Sequence, residues 1–341
     1  MIPEGRVDPI GERNLTQSVG VDLARANPIF IHGILPRSGT NFLCDLLLLH
    51  PDCSRAREPV REDLFLDHSD HLVAFAEAMR AAWDPRWGTF GSDLPDRLCA
   101  GIGEGLVSFL WADRSRRLVT KSPSVRHLAR FFAFYPWARL LILVRDGRSV
   151  VQSGMATFAW WDFDLACRMW SEAADTIRRF QHAESARADR WRLVRYEDLL
   201  DDMERQLRGI FEFLALDPAV YDFKAARDLP VRGSSAFGRE GREVHWEVVA
   251  KDESFAPKER WRSWSTEQLE RFDWLAGAQL RRMGYTTQAS KRSISHSIKH
   301  TLRDWRWRAA RSARLAIYRS RVRLGTASLP LRVRLGLRRA S

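Results

Sequence analysis

Residues 28–50 read PIFIHGILPRSGTNFLCDLLLLH, and this stretch decides the fold. It opens with the apolar run Ile29–Ile31, which is typical of a buried strand, and it closes with a run of leucines that is typical of a helix. Between them, Leu35–Asn41 forms a turn rich in hydrogen-bond donors. Strand, turn and helix in this order point free backbone N–H groups at an anion. The stretch therefore predicts a phosphate site; the alternative is an ordinary turn in which Gly39 permits a tight bend.

The turn is similar to a Walker A loop but lacks the lysine of that loop. A Walker A loop needs Gly-Lys-Ser/Thr, with the lysine on the β/γ-phosphates and the hydroxyl on Mg²⁺. Here Thr40 follows Gly39, and Arg37 supplies the positive charge. The residues therefore favour one phosphate bound without a metal over ATP bound with Mg²⁺.

The chain of 341 residues is long enough to bury a full core, and 45% of its residues are hydrophobic. No apolar run reaches the roughly 20 residues of a membrane-spanning helix, and residues 1–14 lack the apolar segment of a signal peptide. The four cysteines are scattered, without the spacing of metal ligands or of a disulfide framework. We therefore expect a protein of the reducing cytoplasm.

The net charge of +12 is unevenly distributed. Residues 291–341 contain 15 Lys and Arg and one acid, whereas the first 290 residues are close to neutral. Because the basic character belongs to the C-terminal tail, it predicts no nucleic-acid partner for the fold. We divide the chain into a polar lead-in at 1–26, a folded domain at 27–290 and a basic amphipathic tail at 291–341.

Apolar strand candidates alternate with amphipathic helix candidates along the domain. The predicted strands lie at 29–31, 117–120, 139–144 and 191–194. The predicted helices lie at 69–82, 94–111, 124–134, from about 149, and at 163–188, 202–214, 218–226 and 265–283. Residues 51–67 are predicted to be a loop with at most a short helix. The alternation predicts an α/β fold with a parallel sheet covered on both faces.

Four basic side chains follow predicted strands. They are Arg37, Lys121, Arg145 and Arg195. The carboxyl ends of parallel strands meet at one edge of the sheet, and ligands bind at that edge. The four residues together predict an electropositive cleft for a polyanionic ligand.

Four motifs in this order resemble those of the PAPS-dependent sulfotransferases, where PAPS is 3′-phosphoadenosine 5′-phosphosulfate. They are Arg37-Ser38-Gly39-Thr40, Lys121-Ser122-Pro123, RDGRSVVQS at 145–153 and RYEDL at 195–199. The resemblance covers residues 28–285. It is closer to the Golgi-type and bacterial branch, with its tyrosylprotein and carbohydrate sulfotransferases, than to the cytosolic branch. It implies a P-loop-like three-layer sandwich and transfer of a sulfuryl group from PAPS to a hydroxyl.

The resemblance also implies which residues bind PAPS. The loop that holds the 5′-phosphosulfate corresponds to Arg37, Ser38, Gly39, Thr40 and Asn41. The pair that holds the 3′-phosphate corresponds to Arg145 and Ser153, which a strand end and the next helix can turn toward one anion. The loop that closes over the cofactor corresponds to residues 233–238, where Ser234 and Ser235 are candidate phosphate contacts.

Sulfuryl transfer needs cations at the leaving phosphate oxygen and a base for the proton of the acceptor. Arg37 and Lys121 are the candidate cations. The resemblance assigns the base to Glu58, eight residues after His50. The alternative is that Glu58 is a solvated loop carboxylate paired with a neighbouring arginine.

Other residues compete for the role of base. Glu62 and Asp63 lie close to Glu58 in the sequence. The cytosolic branch uses a histidine, so His50 and His245 are held in reserve, although each is more typical of a core or surface imidazole. The RYEDL motif at 195–199 is better explained as a strand end followed by a helix cap.

The sequence leaves the acceptor open, because a glycan, a lipid-linked sugar, a peptide tyrosine and a small alcohol all present a hydroxyl. The tail at 291–341 has three interpretations: a helix on anionic lipid at the inner membrane face, a surface for an acidic glycan or partner protein, and a solvated tail. Two other function classes stay open. They are a P-loop-like nucleotide kinase or phosphotransferase and a non-catalytic nucleotide-binding protein of the same fold.

Overall fold

The computed structural model describes residues 27–83, 86, 93–232, 248–249, 258–287 and 294–323. The strands of its central sheet are β1 Ile29–Gly33, β2 Cys53–Arg55, β3 Arg117–Ser122, β4 Arg139–Val144 and β5 Trp191–Arg195. They lie in the order β2-β3-β1-β4-β5, and every neighbouring pair is parallel. A separate antiparallel pair consists of β6 Val231–Arg232 and β7 Val248–Val249. The predicted parallel sheet is confirmed.

Helices connect the strands and follow the sheet. In the first half of the chain they are α1 Thr40–Leu48, α2 Ser69–Ala82, α3 Leu94–Leu110, α4 Phe131–Phe134 and α5 Gly147–Thr157. In the second half they are α6 Phe163–Ala183, α7 Tyr196–Asp201, α8 Met203–Leu214, α9 Phe223–Arg227, α10 Thr266–Arg282 and α11 Ile294–Arg323. Short 3₁₀ turns lie at Leu66–His68, Leu128–Arg130, Ser185–Arg187, Pro218–Val220 and Arg260–Ser263.

The sheet is buried on both faces because successive strand side chains point to opposite sides. In β1, Ile29 and Ile31 join the core under α1, α7, α8 and α9, whereas Phe30 joins the core under α3, α4, α5, α6 and α10. All five residues of β1 are buried. The architecture is a three-layer α/β sandwich, as the alternation of strands and helices predicted.

The prediction that residues 51–67 form a loop with at most a short helix is wrong at its start. Cys53–Arg55 forms the edge strand β2, which pairs in parallel with Arg117–Val119 of β3. A strand of three residues shows no measurable periodicity, so its pairing partner, and not its own sequence, determines its conformation.

The predicted helix at 124–134 is also wrong over most of its length. Only Leu128–Arg130 forms a 3₁₀ turn, followed by the single α-turn of α4. His127 has a φ of 57° and sits in the left-handed region, which interrupts a right-handed helix. In addition, β3 extends to Ser122, so Lys121 lies within the strand and not after it.

Helix α2 agrees with its predicted bounds at both ends. The helix predicted at 163–188 ends at Ala183 and is followed by a 3₁₀ turn, and the helix predicted at 218–226 is wrong over its first half, where Pro218–Val220 is a 3₁₀ turn before the short α9. Helix α10 starts with a capping box, in which the Ser265 hydroxyl accepts from the Gln268 N–H and the Gln268 side chain accepts from the Ser265 N–H. Among the helices that the structure describes, none combines the length and the apolar character needed to cross a bilayer. The predicted lead-in at 1–26 lies outside the described residues.

Candidate functional site

The first part of the site is the turn between β1 and α1. At Gly33 a Cβ would lie 2.4 Å from Ser38 Oγ, so only glycine lets the chain fold back here. Gly39 is the N-cap of α1, with a φ of 102° and no side-chain hydrogen bond to the helix. The N–H groups in the first turn of a helix have no partner within that helix, so they are available to an anion at this turn.

The second part is the turn between β4 and α5. Its centre is Arg145, which is only 6% exposed. The Asp146 carboxylate caps α5 by accepting from the Arg148 N–H at 2.9 Å. The same carboxylate accepts from Arg148 Nε at 3.0 Å and from Arg148 Nη2 at 2.6 Å. Arg148 is therefore held within this turn by the ion pair with Asp146.

The two turns meet through Arg37. Arg145 Nη1 donates to the Arg37 carbonyl oxygen at 2.9 Å, and Arg37 Nε donates to Ser153 Oγ at 3.2 Å. The sequence predicted that these three residues contact one ligand, and the structure brings them together. The guanidinium of Arg145 also lies over the ring of Tyr196, at 4.4 Å from its centroid.

Positive charge is concentrated where the turns meet. Burial, followed by the nearby charges of Arg145 and Arg260, lowers the pKa of Arg37 to about 10. The pKa of Arg260 is also lowered, first by burial and then by Arg145. Three partly desolvated guanidinium groups repel one another, and a polyanion would neutralise them.

Arg260 is the member of this group that the sequence analysis missed. It begins the 3₁₀ turn Arg260–Ser263, in a region without a clear secondary-structure pattern. Its neighbour Trp261 is buried and lies under the Arg148 guanidinium, at 3.7 Å from the ring centroid. This cation–π contact attaches the turn to α5 and so brings Arg260 to the site. The sequence signal that could have indicated this role is the adjacent pair Arg260-Trp261.

The sequence of the domain matches a known family. A model of the sulfotransferase family matches residues 28–219, which include both turns and the end of β5. The chain belongs to the sulfotransferase family. The resemblance drawn from the four motifs is therefore confirmed.

Curated relatives of this sulfotransferase chain include protein-tyrosine sulfotransferases of animals. Protein-tyrosine sulfotransferase A of Caenorhabditis elegans is 27% identical over 206 residues, which are 56% of this chain and 50% of that protein. Protein-tyrosine sulfotransferase 1 of Danio rerio is 28% identical over 205 residues, 54% of this chain and 52% of that protein. The chain thus spans about half the length of these relatives.

Solved sulfotransferase structures are also similar. The sulfotransferase domain of the Synechococcus PCC 7002 olefin synthase has 21% identity and a TM-score of 0.47, covering 76% of this chain and 96% of that chain. Mouse sulfotransferase SULT7A1, complexed with PAP, has 13% identity and a TM-score of 0.39, covering 76% of this chain and 86% of that chain.

A cleft of about 430 Å³ opens beside α1 at the carboxyl ends of β2 and β3. Asn41, Glu58 and Lys121 line it. Glu58 is 65% exposed on its side chain and lies 3.9 Å from the Arg55 guanidinium. Lys121 is nearly buried, and its Nζ lies 3.1 Å from a Glu62 carboxylate oxygen. The cleft thus combines an accessible carboxylate with a buried ammonium group.

The other candidate bases have structural partners. Asp63 accepts from Thr120 Oγ1 at 2.8 Å and from the Phe65 N–H at 3.3 Å. His50 is buried, with Nε2 at 3.0 Å from the Asp217 carbonyl oxygen. His245, Ser234 and Ser235 lie outside the described residues.

Arg195 differs from the other three basic residues of the predicted cleft. It ends β5, its guanidinium lies over the Tyr285 ring at 4.4 Å, and it is 3.6 Å from Asp198. Burial by itself would lower the pKa of Arg195. The hydrogen bond and charge of Tyr285, with the charge of Asp198, outweigh burial and raise this pKa. Arg195 therefore ends the strand as predicted, but the predicted helix cap is wrong, because α7 begins after Arg195 without a side-chain cap.

Proposed function

We propose that this protein transfers the sulfuryl group of PAPS to a hydroxyl acceptor. The observation that carries the proposal is the link from Arg145 through the Arg37 backbone and side chain to Ser153. It joins two anion-binding turns into one site, as a donor with phosphate groups at both ends requires.

In this proposal the donor lies across the two turns. Arg145, Ser153 and Arg260 hold the 3′-phosphate, and the turn from Arg37 to Asn41 holds the 5′-phosphosulfate. The depressed pKa of Arg37, caused by burial and by the charges of Arg145 and Arg260, supports such a ligand, because an anion would offset the repulsion among these guanidinium groups. Ser38 Oγ is buried and has no hydrogen-bond partner among the described residues, so this hydroxyl is a further candidate contact.

Transfer breaks the bond from sulfur to the bridging phosphate oxygen and forms a bond from sulfur to the acceptor oxygen. Charge develops on the leaving oxygen, where Lys121 and Arg37 stabilise it; loss of one such group typically costs roughly 10²–10³ in rate. Glu58 takes the proton of the acceptor, a contribution of roughly 10²–10⁴. Its exposure in the cleft supports this role, because the acceptor must reach it from solvent.

For the acceptor we propose the phenolic hydroxyl of a tyrosine in a peptide or protein. The similarity to protein-tyrosine sulfotransferases supports this choice. A phenol, with a pKa of about 10, also gives up its proton to a carboxylate more readily than an aliphatic alcohol does. Label found in a glycan or in a lipid would instead identify that class of acceptor in the same assay.

The test is transfer of label from ³⁵S-labelled PAPS to a tyrosine peptide, the matching phenylalanine peptide, a glycan and a lipid extract. We expect label in the tyrosine peptide alone and a loss of at least 100-fold in kcat for Glu58→Gln, with normal PAP affinity. Here PAP is 3′-phosphoadenosine 5′-phosphate, the product of transfer. Glu104→Gln, an exposed carboxylate on α3, is the matched control.

The same assay separates the alternatives. Transfer that continues in EDTA agrees with the prediction that no metal is needed, whereas a metal-dependent transfer from ATP would indicate a phosphotransferase. Normal PAP binding without transfer to any acceptor would indicate a non-catalytic binder. Full activity in Glu58→Gln would contradict the assignment of the base.

A further inference from the structure

One carboxylate in the first half of α11 makes several contacts with the domain. Asp304 accepts from Arg168 Nη2 at 2.6 Å, from Arg271 Nη2 at 2.6 Å and from Trp274 Nε1 at 3.1 Å. Arg271 is fully buried and also pairs with Asp164 on α6. Because these partners come from both α6 and α10, the network fixes which side of α11 faces the domain.

Other residues on the same side of α11 extend this contact. The His300 ring stacks on Trp274 at 5.4 Å between centroids, and His296 lies 3.0 Å from a Glu270 carboxylate oxygen. The Arg168 guanidinium lies over Trp307 at 4.7 Å. Positions 296, 300, 304 and 307 follow the three- and four-residue spacing of one helix face, so this face is the inner one.

The opposite face of α11 exposes large apolar side chains. Ile298 is 56% exposed, Leu302 is 58% exposed and Trp305 is 69% exposed. Their spacing of four and three residues places them in one stripe, pointing away from the inner face. This outer stripe, Ile298, Leu302 and Trp305, cannot turn inward without breaking the contacts of Asp304.

Positive charge surrounds the outer stripe. Arg306 and Arg308 are exposed on its two sides, and Lys299, which lies 3.5 Å from a Glu267 carboxylate oxygen, is also exposed beside it. The tail that contains α11 has 15 Lys and Arg and one acid between residues 291 and 341. If this face packed against the same face of a second copy of the chain, two strongly cationic segments would come together, which is unfavourable. An anionic surface complements both the charge and the apolar stripe.

We infer that the outer stripe of α11 binds the surface of a bilayer that contains anionic lipid. Ile298, Leu302 and Trp305 enter the boundary between headgroups and acyl chains, and the flanking Lys and Arg contact the lipid phosphates. The helix lies in the plane of the surface, because its inner face stays bound to α6 and α10. This inference is independent of the proposed sulfuryl transfer, since no residue of the donor site takes part.

The experiment is sedimentation of the full chain with vesicles of phosphatidylcholine alone or with about one third phosphatidylglycerol. We expect at least tenfold tighter binding to the anionic vesicles and a loss of that binding in 0.5 M NaCl. In the double variant Leu302→Ser, Trp305→Ser, the affinity for anionic vesicles should fall at least tenfold. Phe75→Ser, which removes a 53% exposed aromatic side chain from α2, should leave the affinity unchanged.

Two controls distinguish a folding defect of the double variant from a binding defect. The altered side chains point to solvent, so the melting temperature Tm and the PAP affinity of the double variant should equal those of the unaltered protein. Equal binding to both vesicle types, or binding insensitive to the double variant, would overturn the inference. The inference would also be overturned if the protein did not bind vesicles but formed a concentration-dependent dimer that the double variant abolished. That result would make this face a contact between two copies of the chain.

Discussion

Glu197 Oε1 accepts a hydrogen bond at 3.0 Å from the backbone N–H of Asp146, although 51 residues separate them in sequence. Its other oxygen accepts from the Tyr285 hydroxyl at 2.7 Å. Burial and the charge of Glu197 raise the pKa of Tyr285 well above its usual value, so this phenol keeps its proton and remains a donor. Glu197 therefore holds the backbone immediately after Arg145.

Glu197→Ala should weaken PAP binding about tenfold, because the turn that carries Arg145 loses its support. The lost hydrogen bonds should also lower the free energy of unfolding by about 2 kcal/mol. Glu197→Gln keeps an acceptor oxygen and should restore most of both quantities. Calorimetry with PAP and thermal unfolding measure them. Asp198→Ala is the control, and equal defects in both alanine variants would refute a positioning role for Glu197.

Arg37→Gln should abolish ligand binding without lowering the stability of the fold. At pH 7 the half-buried Arg37 is charged beside Arg145 and Arg260, and its pKa is below that of an arginine in the unfolded chain. A cation with a lowered folded-state pKa destabilises the fold at all pH values below about 10, and this cost is relieved only as the pH rises through that value.

The Tm of unliganded Arg37→Gln should therefore not fall at pH 7, whereas the rise in Tm that PAP produces should disappear. Differential scanning fluorimetry with and without PAP tests both statements. Arg205→Gln, at a position with a 74% exposed side chain, should behave as the unaltered protein. A lower Tm together with an undiminished PAP effect would show that Arg37 serves the fold and not the ligand.

Arg260→Ala should lower PAP affinity about 10- to 100-fold, the range for loss of one charge-assisted hydrogen bond of about 1.5–3 kcal/mol. Arg262→Ala is the matched control two residues away, because Arg262 is 73% exposed and pairs with Glu259. Isothermal calorimetry compares the two. Trp261 is unaltered in both variants, so a shared defect would mean that the whole turn moves and that Arg260 has no specific role.

Gly39→Ala and Gly105→Ala introduce the same methyl group with opposite expected effects. At Gly39 the φ is 102° and a Cβ would lie 2.5 Å from the Tyr196 ring, so the turn between β1 and α1 must move, and PAP binding should be lost if this turn holds the ligand as proposed. At Gly105, within α3, nothing lies within 4 Å, and alanine should stabilise by about 0.5–1 kcal/mol. Normal PAP binding by Gly39→Ala would contradict the close approach of this loop to Tyr196.

The turns that carry the candidate site were predictable because local chemistry specifies them. An apolar strand followed by a glycine turn and a leucine-rich helix has few alternatives, and the observed β1 and α1 agree with it. Strand β4 and the helix after it were recognised for the same reason. The parallel direction of the strands followed from the alternation of strands and helices, because a crossover connection such as a helix is needed between parallel strands.

The sequence by itself thus determined the α/β class, the two turns of the candidate site and the basic character of the tail, because each depends on residues close together in the chain. Only the tertiary structure decided that Cys53–Arg55 is a strand, that Arg260 lies near Arg145 in the candidate site and that Glu197 supports the neighbouring turn. These features arise from contacts between segments far apart in sequence, and no local pattern encodes such contacts. The same holds for Asp304, which fixes the side of α11 that faces outward.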